Sequence, residues 1–459
     1  MSRHGNHLSC VQILNRIIIY NLFSPSGTPS WQYYDFYRYC SDIAVIISTT
    51  DRASLNNYMM WQMATAFMPY LSKPFREIVD LYRKSLTGIQ REHDRWEFCE
   101  ITTERFFSYL ITAMFAESVR KEAYSLNGEQ QKVVKKYLFD YLKHNVAKSI
   151  TLSDNYDYPT RRAAIDKLKN MTIQIGTPTF LLDRAYLKIL YKDLLVQKTD
   201  FFQNILYGVI YLRKREENRL ISPSEETRWL EAVNKNDVSY IPASNKVVVP
   251  ETLLRPPLFH PGFPNSVNLG GLGFKVSKAM LQGVIGQGLL FDSSGRLLVQ
   301  PELPGMEQAY RNGSSPLSPY SGSSSDPRAV LHKDSLCLVS KYDQASIDDQ
   351  TSILRSKTES TMTVAALRQA YITLEDILEL EKGLVLPAME TFDPQAIFFL
   401  SFAQSLCTQR TEQQNDIDRT SSNKLLERQS LIGALTQFPE FHHYFYCGYD
   451  DDLNCGKII

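Results

Sequence analysis

The sequence predicts a mainly α-helical fold with a small β component. Apolar side chains recur at helical spacing over most of the 459 residues, which is the pattern of helices with one buried face. A single stretch, 238–250, is β-branched instead and ends in Val247-Val248-Val249 before Pro250, which favours a strand. With 43% hydrophobic and 22% charged residues, the chain has enough apolar material for a folded core.

Helical periodicity and stop signals place the elements in order. Helical character runs through 31–128 and 129–150, and a third helix is expected over Thr160–Ile175, where Gly176 and Pro178 end it. A fourth helical region covers 181–220. The Gly270-Gly271-x-Gly273 segment reads as a loop before a helix from Phe274. The remaining helices are expected at 361–384, 394–410 and 429–446.

Charge and hydropathy exclude two classes of partner. Lys+Arg and Asp+Glu are both 50, and a net charge of zero argues against binding nucleic acid through bulk electrostatics. No run of apolar residues is long enough for a transmembrane helix. The apolar segment Val11–Phe23 is interrupted by Asn15, Arg16 and Asn21, so it makes a poor signal peptide and is better read as an internal strand or helix.

Local motifs alone indicate no active site. None of the eight histidines forms an i, i+4 pair that could hold a metal on one helical face. The glycines at 270–273 lack the order of a phosphate-binding loop, and no G-x-S-x-G elbow is present.

The cysteines leave two readings open. Seven cysteines are spread along the chain without a C-x-x-C motif, so they are either buried free thiols or long-range disulfides of an extracellular protein with one thiol left over. Two glycosylation acceptors, Asn170-Met171-Thr172 and Asn312-Gly313-Ser314, fit secretion.

Several motifs then occur in a fixed order. They are Ser54-Leu55-Asn56-Asn57-Tyr58-Met59-Met60-Trp61, Val249-Pro250-x-x-Leu253-Leu254-x-Pro256-Pro257-x-Phe259, Asn265-Ser266-x-Asn268-x-Gly270-Gly271-x-Gly273 and Phe398-Phe399-Leu400-x-Phe402-Ala403-Gln404-x-x-Cys407. In these segments the chain resembles the neprilysin and endothelin-converting-enzyme family of zinc metallopeptidases. The resemblance implies a thermolysin-like (gluzincin) catalytic lobe plus the remnant of a second helical lobe.

The resemblance also suggests a division of the chain. Residues 1–50 match poorly, 51–220 resemble the family's N-terminal peptidase domain, and 221–459 resemble its C-terminal zinc-peptidase domain. A Ser/Gly/Pro-rich loop is expected at 312–327 within the last region. Because part of the larger helical lobe has no counterpart here, some apolar helix faces should be exposed.

Carried onto this sequence, the resemblance implies a degenerate site. The family's H-E-x-x-H falls on Lys278, Ala279 and Gln282, so two zinc ligands and the general base are replaced. One ligand position is kept as Glu359, while its orienting carboxylate falls on Thr363. The oxyanion-stabilising histidine falls near Lys424, the substrate-binding arginine near Ser430, and the substrate strand on Val238–Ile241.

These replacements predict a protein without zinc or another cofactor and without proteolytic activity. Lysine has no free lone pair at neutral pH and glutamine is a poor zinc ligand. The expected function is that of a pseudopeptidase that binds peptides or an extracellular protein, and not nucleic acid. A working zinc metalloendopeptidase and a non-functional truncated product are the alternatives. The resemblance implies an extracellular or cell-surface location, although the chain shows no clear signal peptide or anchor.

Two further expectations concern specific side chains. Lys278 should stand where the metal would stand and form an ion pair with Glu359, because a buried carboxylate without a cation is costly. The resemblance implies a disulfide between Cys337 and Cys455. It also implies that Cys99, Cys407 and Cys447 pair with cysteines of an N-terminal region absent from this chain, for which Cys10 and Cys40 are the available substitutes.

Overall fold

The computed structural model describes residues 41–89, 94–120, 128–156, 158–221, 237–296, 350–381, 384, 386–417, 427–448 and 455. The fold is mainly helical with one small sheet, which confirms the predicted fold class. Within the described residues, no helix combines the length and apolar character needed to cross a bilayer. The predicted loop at 312–327 lies outside the described residues.

The helices are α1 (Arg52–Phe67), α2 (Lys73–Thr87), α3 (Arg95–Arg120), α4 (Gly128–Lys135), α5 (Tyr141–Leu152), α6 (Tyr158–Asn170), α7 (Arg184–Leu190), α8 (Phe201–Ile221), α9 (Asn265–Asn268), α10 (Phe274–Val284), α11 (Gln350–Leu380), α12 (Pro394–Ser405), α13 (Glu412–Ile417), α14 (Glu427–Leu435) and α15 (Pro439–Tyr444). Two π-helical turns, Lys136–Asp140 and Leu269–Gly273, lie between α4 and α5 and between α9 and α10. The strands are β1 (Thr172–Ile175), β2 (Ser239–Ile241) and β3 (Lys246–Val249).

The chain forms two compact units. The first comprises the described residues within 1–106 and 189–228, and the second those within 107–188, 229–296 and 309–459. The division falls inside α3 beside Phe107, whose backbone (φ −119°, ψ 30°) leaves the helical region. The domain limits suggested by the resemblance, at 50/51 and 220/221, stay a prediction.

The first unit exposes much of its apolar surface. No residue of α1 or α2 is buried. On α2, Phe75, Ile78, Tyr82 and Leu86 follow each other at helical spacing and are all exposed. The expected exposure of apolar helix faces is therefore confirmed in this unit.

The second unit holds the main core. Its sheet has the order β1-β3-β2, with β1 and β3 parallel and β2 and β3 antiparallel. One continuous cluster of buried apolar side chains joins α5, α6, α10, α11, α12 and the inner face of this sheet. The centre of α10 is enclosed by this cluster, which fixes the helix on which the candidate site is built.

Three sequence expectations are wrong in detail. The helix expected over Thr160–Ile175 ends at Asn170, and the following residues form β1 because they pair with β3. Gly176 has φ 64° and its N–H donates to the Val249 carbonyl at 2.8 Å, so it extends the parallel ladder instead of ending a helix. The helical region 181–220 is interrupted between α7 and α8.

The single strand expected over Val238–Pro250 is a hairpin of β2 and β3. Its turn depends on Asn245, which is left-handed (φ 47°) and almost fully buried. The Asn245 side chain accepts from the Tyr240 hydroxyl at 2.9 Å and donates to the Lys167 carbonyl at 2.9 Å. Asparagine tolerates this backbone conformation better than most residues do, and these two bonds hold it there.

The glycine segment before α10 is helical and not a loop. Residues 265–284 run continuously through α9, a π-helical turn and α10. A Cβ on Gly270 would lie 2.3 Å from the Phe398 carbonyl oxygen, and one on Gly271 would lie 2.7 Å from the Leu258 carbonyl oxygen. The glycines therefore allow close backbone packing against α12 and residue 258.

Candidate functional site

The site lies on the face of α10 that points away from the core. Ala279 and Met280 are buried, whereas Gln282 is exposed and Lys278 is partly exposed. Positions 278 and 282 are four residues apart and so share one helical face. The helix thus presents Lys278 and Gln282 on its open side.

The predicted ion pair between Lys278 and Glu359 is present. The Lys278 Nζ donates to Glu359 Oε1 across α10 and α11. The side chains are 24% and 33% exposed, respectively, so the pair is partly shielded from water. A cation on α10 therefore neutralises the Glu359 carboxylate on α11.

Thr363 takes no part in this pair. It is buried, and its hydroxyl donates to the Glu359 carbonyl oxygen one turn earlier at 2.8 Å, a common local bond for threonine in helices. Among the described residues, no group of three or more His, Cys, Asp or Glu side chains is arranged to hold a metal ion.

A second lysine of α10 is also paired. The Lys275 Nζ lies 3.1 Å from Asp237 Oδ1, and Asp237 stands just before β2. Lys275 and Lys278 are three residues apart and lie on neighbouring parts of one helical surface. Each lysine on this surface therefore has a carboxylate partner, and the local formal charge is balanced.

The C-terminal end of α10 is held by buried polar groups. The Tyr156 hydroxyl donates to the Val284 carbonyl at 3.2 Å. The Lys167 Nζ donates to the carbonyl oxygens of Gly288 and, at 3.0 Å, of Phe291. These bonds add donors to carbonyls at the helix end and in the following 3₁₀ turn, where Gly288 also accepts from the Phe291 N–H.

Burial changes the ionisation of these anchors. It lowers the pKa of Lys167 to about 8, because the charged form loses hydration, while the nearby Asp292 carboxylate acts in the opposite direction. Burial raises the pKa of the Tyr156 and Tyr240 hydroxyls, so both remain neutral donors at physiological pH. Hydrogen bonds to backbone carbonyl groups therefore hold the end of α10, whereas Lys278 contacts a charged carboxylate.

Other residues singled out from the sequence are not gathered at this pair. Ser430 is buried on α14 and makes no side-chain hydrogen bond to Lys278 or Glu359. Lys424 lies outside the described residues, as does Asn312. Asn170 is exposed at the end of α6, where its amide donates to the Asp166 carbonyl at 2.9 Å.

The cysteines divide into two groups. Cys99, Cys407 and Cys447 are free and exposed, so in this structure they are neither buried thiols nor members of a disulfide. Cys455 is disulfide-bonded, and its partner lies outside the described residues. The pairing of Cys455 with Cys337 stays a prediction, because Cys337 is also outside them.

Sequence reasoning missed the anchoring role of Lys167. A signal was present, because Lys167 lies beside the buried Ala164 and Leu168 of α6, and the buried Met171 follows directly after the helix. A lysine in such surroundings must find acceptors in the interior. The acceptors come from residues 288 and 291, more than a hundred positions away, and no local pattern identifies them.

Comparison with known proteins identifies the family. Two family profiles, both described as peptidase family M13, match residues 27–178 and 237–457. Rat endothelin-converting enzyme-like 1 is 25% identical over 91% of this chain and 50% of its own length. Neprilysin-3 of Drosophila melanogaster is 25% identical over 90% of this chain and 49% of its own length. The chain therefore spans about half the length of these curated relatives.

Solved structures show the same fold. The zinc metalloprotease Zmp1 of Mycobacterium tuberculosis, in complex with an inhibitor, is similar with a TM-score of 0.70 at 19% identity, over 87% of this chain and 57% of that one. PepO of Lactobacillus rhamnosis gives a TM-score of 0.63 at 16% identity, over 85% and 55%. Since the two profiles cover most of the sequence, this chain belongs to peptidase family M13.

Proposed function

We propose that this member of family M13 neither binds zinc at the Lys278–Glu359 position nor cleaves peptides, and that it binds a peptide or a protein partner instead. The observation that carries the proposal is the bond between the Lys278 ammonium and the Glu359 carboxylate. The carboxylate is already neutralised by a cation of the chain itself. A divalent metal would have to displace that cation to reach the oxygen.

The residues present do not fit zinc. Catalytic zinc sites use three good nitrogen, sulfur or carboxylate ligands and keep one position open. Here the ligand positions carry an ammonium group and an amide, and only Glu359 supplies an anionic oxygen. Ala279, at the position of the general base, has a methyl group that can neither accept nor donate a proton.

Binding without cleavage is supported by the surviving framework of the cleft. The hairpin of β2 and β3 is formed, and β2 is an edge strand of the sheet, a type of edge that can accept an extended peptide. The family's substrate-binding arginine falls near Ser430, and its substrate strand on Val238–Ile241. Both changes should weaken the binding of the family's usual peptides. A partner other than the family's usual peptides is therefore part of the proposal.

The proposal places this protein outside the cell or at its surface. Cys455 is in a disulfide, and disulfides persist mainly in oxidising compartments. Asn170, in an Asn-Met-Thr acceptor, is exposed and accessible to glycosylation. Enzymatic deglycosylation of secreted protein, with Asn170→Gln as the comparison, tests the attachment site.

The decisive experiment measures zinc content and peptide cleavage on the same purified protein. We expect less than stoichiometric zinc by elemental analysis and no cleavage of fluorogenic peptides above the rate in the presence of EDTA. The matched variant is Lys278→His/Ala279→Glu/Gln282→His, which restores two imidazoles and a base around Glu359. This variant should gain chelator-sensitive zinc, because it supplies the three ligands that zinc requires.

Two results would contradict the proposal. Stoichiometric zinc with EDTA-sensitive cleavage by the unmodified protein would establish a working metalloendopeptidase. Failure of the protein to unfold cooperatively, together with poor secretion, would indicate a non-functional product. If only the triple variant binds zinc, the fold is intact, and the loss of zinc binding comes from the three substituted side chains.

A further inference from the structure

A groove of about 210 Å³ opens in the second unit, away from the Lys278–Glu359 pair. Its apolar lining includes Ile377 and Leu378 near the end of α11, and Phe263 and Pro264 from the segment before α9. Ile377 follows Glu359 on the same helix by about 27 Å along the axis, at ~1.5 Å per residue. The groove is therefore separate from the site inherited from the family.

Two π-helical turns pack against each other beside this groove. One, Lys136–Asp140, carries Tyr137 into the groove wall, and the other, Leu269–Gly273, follows the segment that supplies Phe263 and Pro264. Single π-helical turns shift the direction of side chains along a helix and are frequent at functional sites. This irregular backbone shapes the wall of the groove.

Tyr137 is fixed in place by its neighbours. Its ring stacks on Tyr141 with centroids 5.7 Å apart, and the Lys136 Nζ lies 4.6 Å from its centroid. The Tyr137 hydroxyl donates to Glu381 Oε1 at 3.2 Å and accepts from Lys136 Nζ at 3.3 Å. The hydroxyl thus orients the Glu381 carboxylate, which lines the groove.

Glu381 retains the capacity to bind a cation. It makes no ion pair within 4 Å among the described residues, although the Lys136 ammonium attracts it electrostatically and shares the Tyr137 hydroxyl with it. A carboxylate accepts more than one hydrogen bond, so one made to Tyr137 leaves room for another donor. A groove whose lining combines apolar side chains with such a carboxylate matches a ligand with an aliphatic stem and a cationic end.

We propose that this groove binds an arginine side chain of a peptide or of an extended protein segment. The methylene stem lies against Ile377, Leu378 and Phe263, and the guanidinium donates to the Glu381 carboxylate. Guanidinium is favoured over other cations because its planar donors match a carboxylate geometrically. This inference does not depend on the proposed loss of zinc, since it concerns different residues.

The test is fluorescence anisotropy with a fluorescein-labelled Gly-Leu-Arg-Gly amide and an otherwise identical peptide that carries citrulline, which is neutral and nearly isosteric. We expect the arginine peptide to bind about tenfold more tightly than the citrulline peptide, the scale of one charge-assisted hydrogen bond. Glu381→Gln should remove this preference. Leu378→Trp, which adds volume inside the groove, should weaken the binding of both peptides.

The matched control is Glu379→Gln. Glu379 is exposed on α11 and does not line the groove, so its loss changes the net charge equally without changing the site. Binding by this variant should equal that of the unmodified protein. Equal affinity for the two peptides, no measurable binding, or equal losses from Glu381→Gln and Glu379→Gln would overturn the proposal.

Discussion

Lys278 lies on α10, and Lys167 contacts the turn that follows this helix. The two ammonium groups lie in different surroundings. Lys278 is 24% exposed and faces a carboxylate on α11. Lys167 is 1% exposed and donates to the carbonyl oxygens of Gly288 and Phe291. One lysine forms an ion pair near water, and the other donates its hydrogen bonds to backbone carbonyls in the interior.

Because of this difference, the Lys278–Glu359 contact can be replaced at little cost in stability, whereas the Lys167 contacts are needed for the structure. If both members of the Lys278–Glu359 pair are changed to neutral residues, no uncompensated charge remains, and partly exposed pairs contribute little net stability. The carbonyls bound by Lys167 cannot be removed by substitution, so without the ammonium Gly288 would keep only the Phe291 N–H as a donor and the Phe291 carbonyl would lose its bond to Lys167. The Lys278–Glu359 contact could therefore be replaced at less cost in stability than the Lys167 contacts that hold the end of α10.

The largest effect is expected from Lys167→Met. The substitution keeps much of the side-chain volume but removes the ammonium donor from two carbonyl oxygens, of which Gly288 keeps the Phe291 N–H as a donor, so the free energy of unfolding should fall by about 1 to 2 kcal/mol. Urea denaturation followed by circular dichroism measures the change. The control is Lys169→Met, on the same helix but exposed, which should stay within about 0.5 kcal/mol of the unmodified protein.

A loss below 0.5 kcal/mol for Lys167→Met would show that these carbonyls find other partners, such as water. It would also remove the contrast with Lys278, because both lysines would then be dispensable for stability.

The sequence predicted one of these lysines and not the other. Lys278 and Glu359 could be placed together because ordered motifs fix both on two helices of a known arrangement, and a retained carboxylate needs a cation. The role of Lys167 depends on carbonyls of residues 288 and 291, whose position follows from how the chain turns after α10. Tertiary contacts of this kind have no local sequence signal.

The same limit explains the errors in secondary structure. Residues 172–175 continue the helical spacing of α6, but pairing with β3 makes them a strand, and tertiary context overrides local propensity. The hairpin turn at Asn245 was missed because no Asn-Gly or Asp-Gly marks it; the buried bonds of its side chain stabilise it instead. The helices with long apolar periodicity were the most predictable elements.

A second, smaller effect concerns pH. Burial lowers the pKa of Lys167 from its ordinary 10.5 to about 8. Between these values the unfolded chain holds a proton that the folded chain has released, so raising the pH favours the folded state. From pH 8 to 9.5, the free energy of unfolding should rise by about 1 kcal/mol more in the unmodified protein than in Lys167→Met.

The comparison with Lys167→Met is necessary because other groups titrate nearby. Burial also lowers the pKa of Lys143, which adds a change of the same sign. The buried hydroxyls of Tyr156 and Tyr240 have raised pKa values and so act in the opposite direction, but only above about pH 10, where tyrosines in the unfolded chain ionise. Parallel pH profiles for the two proteins would show that Lys167 keeps an ordinary pKa.

The smallest effect is expected at the pair in the cleft. A double-mutant cycle with Lys278→Met and Glu359→Gln should give a coupling free energy between about 0.3 and 1 kcal/mol, which falls as salt is added. The reference is the cycle Arg213→Met with Glu217→Gln, an i, i+4 pair whose side chains are 81% and 56% exposed. Because water screens that pair more strongly, its coupling should be smaller than that of Lys278 and Glu359. Equal coupling in the two cycles would mean that the cleft does not shield its ion pair, and Glu359 would then be as open to an added cation as a carboxylate on the surface.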